Sequence, residues 1–109
     1  MVAAFAKWLR AHGWTGQTEV AFVDVVARRP GTVLYGEAKG RTAAMGLDLD
    51  TLYGQLLRRM PAQPQPDAEF AVIVPTEAVT AAERVPRWVR ELLKISVYEV
   101  REDGGVAER

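Results

Sequence analysis

Large hydrophobic residues recur at helical spacing at the start of the chain. Within residues 2–12 they fall every three to four positions and would form one stripe along a helix: Phe5, Trp8 and Leu9. Gly13 follows as a helix terminator. His12, the one histidine, ends this segment, where histidine meets the helix dipole or solvent more often than it takes part in catalysis. The pattern predicts an amphipathic first helix that packs on a sheet.

The pattern then changes to that of a β-hairpin over residues 20–39. An apolar run over 20–27 is interrupted by a single acid, Asp24, and predicts a buried strand. The Pro-Gly pair at 30–31 suits the centre of a type II turn, since proline presets φ and glycine accepts a positive φ. The second strand follows this turn and ends in Gly-Glu-Ala-Lys at 36–39.

The turn fixes which side chains of the two strands meet. It pairs Arg29 with Thr32, and counting outward sets Asp24 opposite Glu37. Cross-strand neighbours on one face have Cβ atoms about 5 Å apart. Glu37 and Lys39, two positions apart on one strand, project from the same face about 6.6 Å from each other. The hairpin is therefore expected to gather two acids and one lysine.

The remaining residues alternate between helical and strand patterns. The predicted elements are, in order, a helix over 49–60 capped by Asp48 or Asp50 and stopped by Pro61, an extended connector over 61–67, a strand over 69–75, a short helix over 76–83, a helix over 86–94 and a strand over 95–100. The last strand is predicted at the edge of the sheet, with a frayed tail from Asp103. This order predicts an α/β fold, a three-layer sandwich around a central mixed sheet, in one domain over 1–109.

Composition and charge narrow the class of protein. Hydrophobic residues make up 49% of the 109 residues and charged residues 26%, which is ordinary for a soluble globular domain. The lack of cysteine excludes disulfides, thiolate metal sites and cysteine nucleophiles. No targeting segment or apolar run of about 18 residues is present, so a cytoplasmic location is expected. The net charge of zero argues against a non-specific nucleic-acid coat, but the first 60 residues hold eight Lys and Arg against five Asp and Glu.

The two acids of the hairpin would repel each other unless a cation lay between them. Magnesium suits such a site, because it takes oxygen ligands from one or two carboxylates, and the carbonyl of Ala38 can add another oxygen. Lys39 would stand beside the metal and activate a water or offset phosphate charge. A Glu-x-Lys triplet also arises by chance, and alternating charge on a strand is usually a solvated face. An acid inside an apolar run needs a partner, however, so Asp24 and Glu37 are predicted to bind metal.

These residues resemble a known nuclease signature. Asp24, a twelve-residue gap and then Glu37-Ala38-Lys39 at the end of an apolar strand are similar to the motif of the PD-(D/E)xK nuclease superfamily, especially its Holliday-junction-resolvase-like and repair-nuclease branches. The resemblance implies a restriction-endonuclease-like fold and metal-dependent hydrolysis of DNA. It also implies that Asp24 and Glu37 hold Mg²⁺, with Mn²⁺ as a substitute, and that Lys39 is the catalytic base. Val23 replaces the proline of the family motif, at a position that tolerates change.

Two further polar residues are candidates for the same site. In several branches of the superfamily a polar residue, often glutamine, on the helix after Glu-x-Lys completes the site, and Gln55 resembles it; a solvent-facing glutamine is the alternative. Glu19 is a candidate third acid, although alternation along one strand points it away from Asp24 unless the strand bends.

Arginines are the expected contacts to DNA, since guanidinium groups bind phosphate bidentately. The candidates are Arg28, Arg29, Arg41, Arg58 and Arg59. Arg41 is the strongest of them, because it follows Lys39 by two residues. A solvated face is the alternative for each of them taken singly.

Three functions are compatible with this sequence. The predicted one is Mg²⁺-dependent cleavage of DNA by an endonuclease or exonuclease. The second is a nucleic-acid-binding or assembly module that keeps the fold without turnover, which the neutral charge and small size favour. The third is a plain protein-interaction domain. A homodimer or a partner protein is also plausible, because the strand over 95–100 would leave an exposed edge.

Overall fold

The computed structural model of the chain describes residues 1–20, 23–40 and 44–109, and for Gln17, Glu19 and Val20 it describes the backbone alone. The elements in chain order are α1 (Val2–Ala11), β1 (Thr15–Val20), β2 (Val23–Arg29), β3 (Thr32–Ala38), α2 (Met45–Arg58), β4 (Ala68–Pro75), a 3₁₀ turn (Thr76–Ala78), α3 (Val79–Ala82), α4 (Arg87–Leu92), β5 (Ile95–Val100) and β6 (Val106–Glu108). The strands form one six-stranded sheet in the order β1-β2-β3-β4-β5-β6. β3, β4 and β5 run parallel, and the other neighbours run antiparallel. The predicted mixed α/β architecture is confirmed.

The central hairpin has the register that the sequence predicts. β2 and β3 pair antiparallel with Arg29 opposite Thr32, and the same register sets Asp24 opposite Glu37. Gly31 in the turn has φ +80°, a value that glycine adopts without steric cost. The turn chemistry therefore fixes the alignment of the two acids.

The predicted first strand of the hairpin is in fact two strands. β1 ends at Val20 and β2 begins at Val23, whereas the sequence pattern predicts one strand over 20–27. β1 is missed because its sequence, Thr-Gly-Gln-Thr-Glu-Val, lacks the regular apolar alternation of a half-buried strand. The sheet therefore has a third antiparallel strand on the far side of Asp24 from Glu37.

β5 is not an edge strand, contrary to the prediction. β6 pairs antiparallel with it, and Tyr98 lies opposite Glu108. The tail predicted to fray from Asp103 is a turn followed by this short strand. With three residues, β6 is too short for its period to appear in the sequence. The argument for a homodimer from an exposed edge over 95–100 is therefore wrong.

α2 begins earlier than predicted. The helix starts at Met45, which packs partly buried against the core, rather than near residue 49. Its N-cap is Ala44, and neither Asp48 nor Asp50 takes that position. Asp48 instead lies in the first turn, where its charge interacts favourably with the helix dipole. The helix therefore begins about one turn earlier than the capping pattern indicates.

Two hydrophobic clusters cover opposite faces of β4, since successive residues of a strand point to opposite sides. The cluster beneath α2 and α3 includes Phe70, Val72 and Val74, and the cluster beneath α1 includes Ala71 and Ile73. Burial on both faces explains why this strand is a continuous apolar run in the sequence.

Helix length also bears on membrane insertion. Among the described residues, no helix is both long and apolar enough to span a bilayer.

One buried hydrogen bond ties α2 to α3. Tyr53 lies in the core, and its hydroxyl donates to the carbonyl of Ala82 over 2.7 Å. Burial raises the pKa of Tyr53 to about 12, because the phenolate would be poorly solvated there. The neutral tyrosine is therefore favoured in the folded state over the unfolded state, where its pKa is the ordinary 10.0. The resulting contribution to the free energy of unfolding is fully present below pH 10.0 and is lost as the pH rises toward 12.

We expect Tyr53→Phe to lower the free energy of unfolding by about 1 kcal/mol near neutral pH, because the Ala82 carbonyl loses its donor. From about pH 8 to about pH 11 the difference in free energy of unfolding between wild type and variant should shrink by about 1 kcal/mol, since the variant has no hydroxyl at position 53 to ionise on unfolding. Urea denaturation at both pH values measures it. Tyr35→Phe, which removes a surface hydroxyl 3.4 Å from Gln65, is the control and should cost little near neutral pH. A difference that does not shrink would contradict this account of Tyr53.

Candidate functional site

Asp24 and Glu37 face the same side of the sheet. In β3, Val33 and Tyr35 pack against the cluster beneath α2, so Glu37 points to that side as well. In β2, Val25 belongs to the cluster beneath α1, which turns its neighbour Asp24 toward α2. Register and alternation together bring the two carboxylates to one place.

Each of these carboxylates has a donor from the chain. Asp24 accepts the N–H of Ala38 at Oδ2 over 2.8 Å. Glu37 has 1% of its surface exposed, and its Oε1 accepts a hydrogen bond from the guanidinium of Arg59, with which it forms an ion pair. Arg59 follows α2 directly as its C-cap, and 32% of its side chain is exposed. The site is a buried Glu37 beside a half-buried Asp24, with Arg59 paired to Glu37.

The ion pair with Arg59 does not fully offset the cost of burying the Glu37 carboxylate. Burial raises the pKa of Glu37 above its ordinary value, because the carboxylate loses its hydration. Arg59 opposes this effect, whereas Asp24 adds to it through charge repulsion and through a hydrogen bond that favours protonated Glu37. The net shift of the Glu37 pKa is upward in spite of the ion pair with Arg59. A further cation at the acid pair would therefore be stabilising.

Lys39 and Gln55, the other two predicted catalytic residues, belong to the elements that carry Glu37 and Arg59. Lys39 is half-buried just after β3, and its amide donates to the carbonyl of Ile73 over 3.0 Å, so that the strand pairing continues by one residue. Alternation puts it on the side of Glu37. Gln55 is half-buried in α2 four residues before Arg59, which makes the two neighbours on one ridge of the helix.

β1, the strand that the sequence pattern did not separate from β2, changes the expectation for Glu19. β1 pairs with β2 such that Thr18 lies opposite Val25, which leaves Glu19 at the register position opposite Asp24. The expectation that Glu19 points away assumed one continuous strand, and the two antiparallel strands remove that premise. Its side chain lies outside the described part of the structure, so its role as a third acid stays a prediction.

Arg28 and Arg29 lie away from the acid pair. They occupy the turn end of β2, four and five residues from Asp24, which corresponds to roughly 13 to 16 Å along a strand. Arg29 stacks over the ring of Trp14 at 4.1 Å. Any ligand that these two arginines contact would therefore lie well away from the acid pair.

The other three arginines differ in position. Arg59 contacts Glu37, a contact that the sequence analysis missed because it treated this residue as a phosphate ligand. Arg58 is exposed at the last position of α2. Arg41 falls outside the described residues. The spacing of four from Gln55 to Arg59 is a sequence signal for the face of α2 on which Arg59 lies, although it does not identify the partner.

The described acid pair has no third protein side chain of a metal-ligating type. Among the described side chains, which do not include that of Glu19, no three His, Asp or Glu side chains converge on one point. Mg²⁺ binds through one or two carboxylates and keeps several waters, so a pair of acids is sufficient for that ion. A closed structural metal site is not supported by these residues.

Comparison with known proteins shows the fold. No protein-family model and no curated protein matches the chain. An XisH family protein from Nostoc punctiforme superposes with a TM-score of 0.63 at 17% identity, over 97% of this chain and 94% of the other. An fdxN element excision controlling factor from Anabaena variabilis superposes with a TM-score of 0.64 at 18% identity, over 96% of this chain and 93% of the other. At such identity the likeness establishes a shared fold and not a shared activity.

The ion pair between Arg59 and Glu37 predicts a pattern of stabilities. In EDTA, Arg59→Gln should lower the free energy of unfolding by about 2 kcal/mol, because it leaves a buried carboxylate without its counter-ion. Adding Glu37→Gln to the same chain should restore most of that loss, since the amide carries no charge. Urea denaturation of the wild type, both single variants and the double variant gives the coupling energy. Purely additive effects would show that the pair contributes nothing.

Proposed function

We propose that this protein is a metal-dependent nuclease that hydrolyses DNA phosphodiester bonds. The observation that carries the proposal is the meeting of Asp24 and Glu37 on one face of the sheet, with Lys39 at the end of the strand that holds Glu37. Two acids and a lysine in this order resemble the site of the PD-(D/E)xK superfamily. Membership in that superfamily and its restriction-endonuclease-like sandwich fold are part of the same proposal.

The donor set fits a hard divalent ion such as Mg²⁺, or Mn²⁺ in its place. Oδ2 of Asp24 accepts the N–H of Ala38 and Oε1 of Glu37 accepts from Arg59, and a bound ion would take the place of the hydrogen bond between the two carboxyl groups. The carbonyl of Ala38 can add a third oxygen ligand. All of these are oxygen donors, which Mg²⁺ prefers. The pair Asp24 and Glu37 would therefore hold the ion.

The residues around the pair have separate roles in the proposal. A bound ion would supply positive charge against the phosphate and make a water more acidic. The amine of Lys39 would take a proton from the attacking water or offset charge on the phosphate. The amide of Gln55 would hydrogen-bond a water or a phosphate oxygen without adding charge. Arg58 and Arg41 would bind the DNA backbone.

The fold likeness supports DNA as the substrate class. One of the two similar structures is described as an fdxN element excision controlling factor, and the other as an XisH family protein. We extend from this only that DNA is the partner of this chain. A cytoplasmic location, away from any membrane, is part of the proposal.

We expect Lys39→Ala to reduce metal-dependent DNA cleavage by at least about 100-fold, because the variant lacks the proposed proton acceptor and phosphate counter-charge. Fold and Mn²⁺ binding should be retained. The measurement is cleavage of a panel of duplex, nicked and branched DNA with Mg²⁺ present. Lys7→Ala, on the exposed side of α1, is the matched control and should cleave as the wild type does. Cleavage by Lys39→Ala at the wild-type rate would exclude the mechanism.

A nucleic-acid-binding or assembly module without turnover is the second candidate. Two observations favour it: Arg59 already neutralises part of the charge of Glu37, and the described residues contribute no third acid. Such a module would need no metal.

Calorimetric titration with Mn²⁺ separates the two candidates. A nuclease should bind the ion at micromolar to millimolar concentration, and Asp24→Asn should abolish the binding heat because it removes one of two carboxylate ligands. DNA binding measured by fluorescence anisotropy, with no Mn²⁺ bound at millimolar concentration, would support the module and contradict the nuclease.

A further inference from the structure

The ion pair beneath α2 lies at the position that the proposed function gives to a metal. Glu37 is fully buried, and its Oε1 accepts a hydrogen bond from the guanidinium of Arg59. Arg59 is the cation that the chain itself brings to the acid pair. The carboxylate that would bind the ion is therefore already engaged.

A guanidinium and a divalent ion bound to one buried carboxylate oppose each other. They carry charge of the same sign, and repulsion between them is weakly screened where water is excluded. β3 fixes the backbone of Glu37 between β2 and β4 and its side chain is buried, whereas the side chain of Arg59 reaches solvent. Any adjustment must come from the arginine.

Arg59 is placed so that it can withdraw. It stands one residue beyond α2, and its amide donates to the carbonyls of Gln55 and Leu56 at the helix end. With 32% of its side chain exposed, it has solvent on one side. The guanidinium can therefore leave Glu37 by side-chain rotation while the helix stays in place.

We propose that Arg59 is a resident counter-ion that competes with the divalent metal for Glu37, so that metal binding releases its guanidinium from the acid pair. This inference rests on the proposed metal-dependent function. The released group is a planar, permanently charged phosphate ligand at the edge of the site. In the metal-free protein Arg59 thus occupies Glu37, and metal binding frees its guanidinium to contact DNA.

The test is the affinity of the full chain for Mn²⁺ alone, measured by isothermal titration calorimetry. Arg59→Gln is expected to bind Mn²⁺ about tenfold more tightly than the wild type, because no ion pair has to be broken first. Arg58→Gln removes the same charge from the neighbouring residue and is expected to match the wild type. Arg59→Lys keeps a charge but cannot form the planar fork, and is expected to bind more tightly than the wild type and less tightly than Arg59→Gln.

Each outcome decides the question. Wild-type or weaker affinity in Arg59→Gln would overturn the competition and leave the metal site standing, and so would an equal gain in Arg58→Gln. If Arg59→Gln does not fold, Arg59→Lys decides: tighter binding than the wild type supports the competition, and equal or weaker binding refutes it. Absence of Mn²⁺ binding in every one of these proteins would remove the proposed function and this inference together.

Discussion

Two carboxyl groups that meet under a helix on one face of a sheet repel each other when both are ionised, and the rest of the site follows from that constraint. At about 5 Å and an effective dielectric constant of about 20, their repulsion is on the order of 3 kcal/mol, before the cost of taking Glu37 out of water. The chain meets this cost with the N–H of Ala38 for Asp24 and with Arg59 for Glu37. Both donors belong to elements that the fold already fixes.

The architecture explains why the acids end up together. β3 runs parallel to β4, so the chain must return over the sheet between them, and α2 is that connection. Its last turn comes down over Glu37, which has Val72 of β4 on one side and Asp24 of β2 on the other. The β2–β3 hairpin, the crossover helix α2 and the hydrophobic strand β4 therefore all meet at Asp24 and Glu37. A surface loop would not give the acids this degree of burial.

Much of the fold and part of the candidate site can be derived from the sequence. The Pro-Gly turn fixes the hairpin register, and with it the alignment of Asp24 and Glu37, because turn geometry is local. β1 and β6 could not be found, since their stability comes from pairing with β2 and β5 and not from apolar patterns of their own. The pairing of Arg59 with Glu37 joins residues 22 positions apart through a tertiary contact. No spacing rule in the sequence predicts such a contact, although the ridge shared with Gln55 indicates the correct face of α2.

The central claim is that Asp24 and Glu37 hold one divalent ion between them. Anomalous diffraction from crystals grown with Mn²⁺ tests this most directly, because the signal locates the ion without assuming its ligands. The account predicts one peak at a distance of about 2.1 Å from an oxygen of each carboxylate, and no such peak in Asp24→Asn crystals. A map with no peak between the two acids at saturating Mn²⁺, or with Mn²⁺ bound elsewhere, would contradict it.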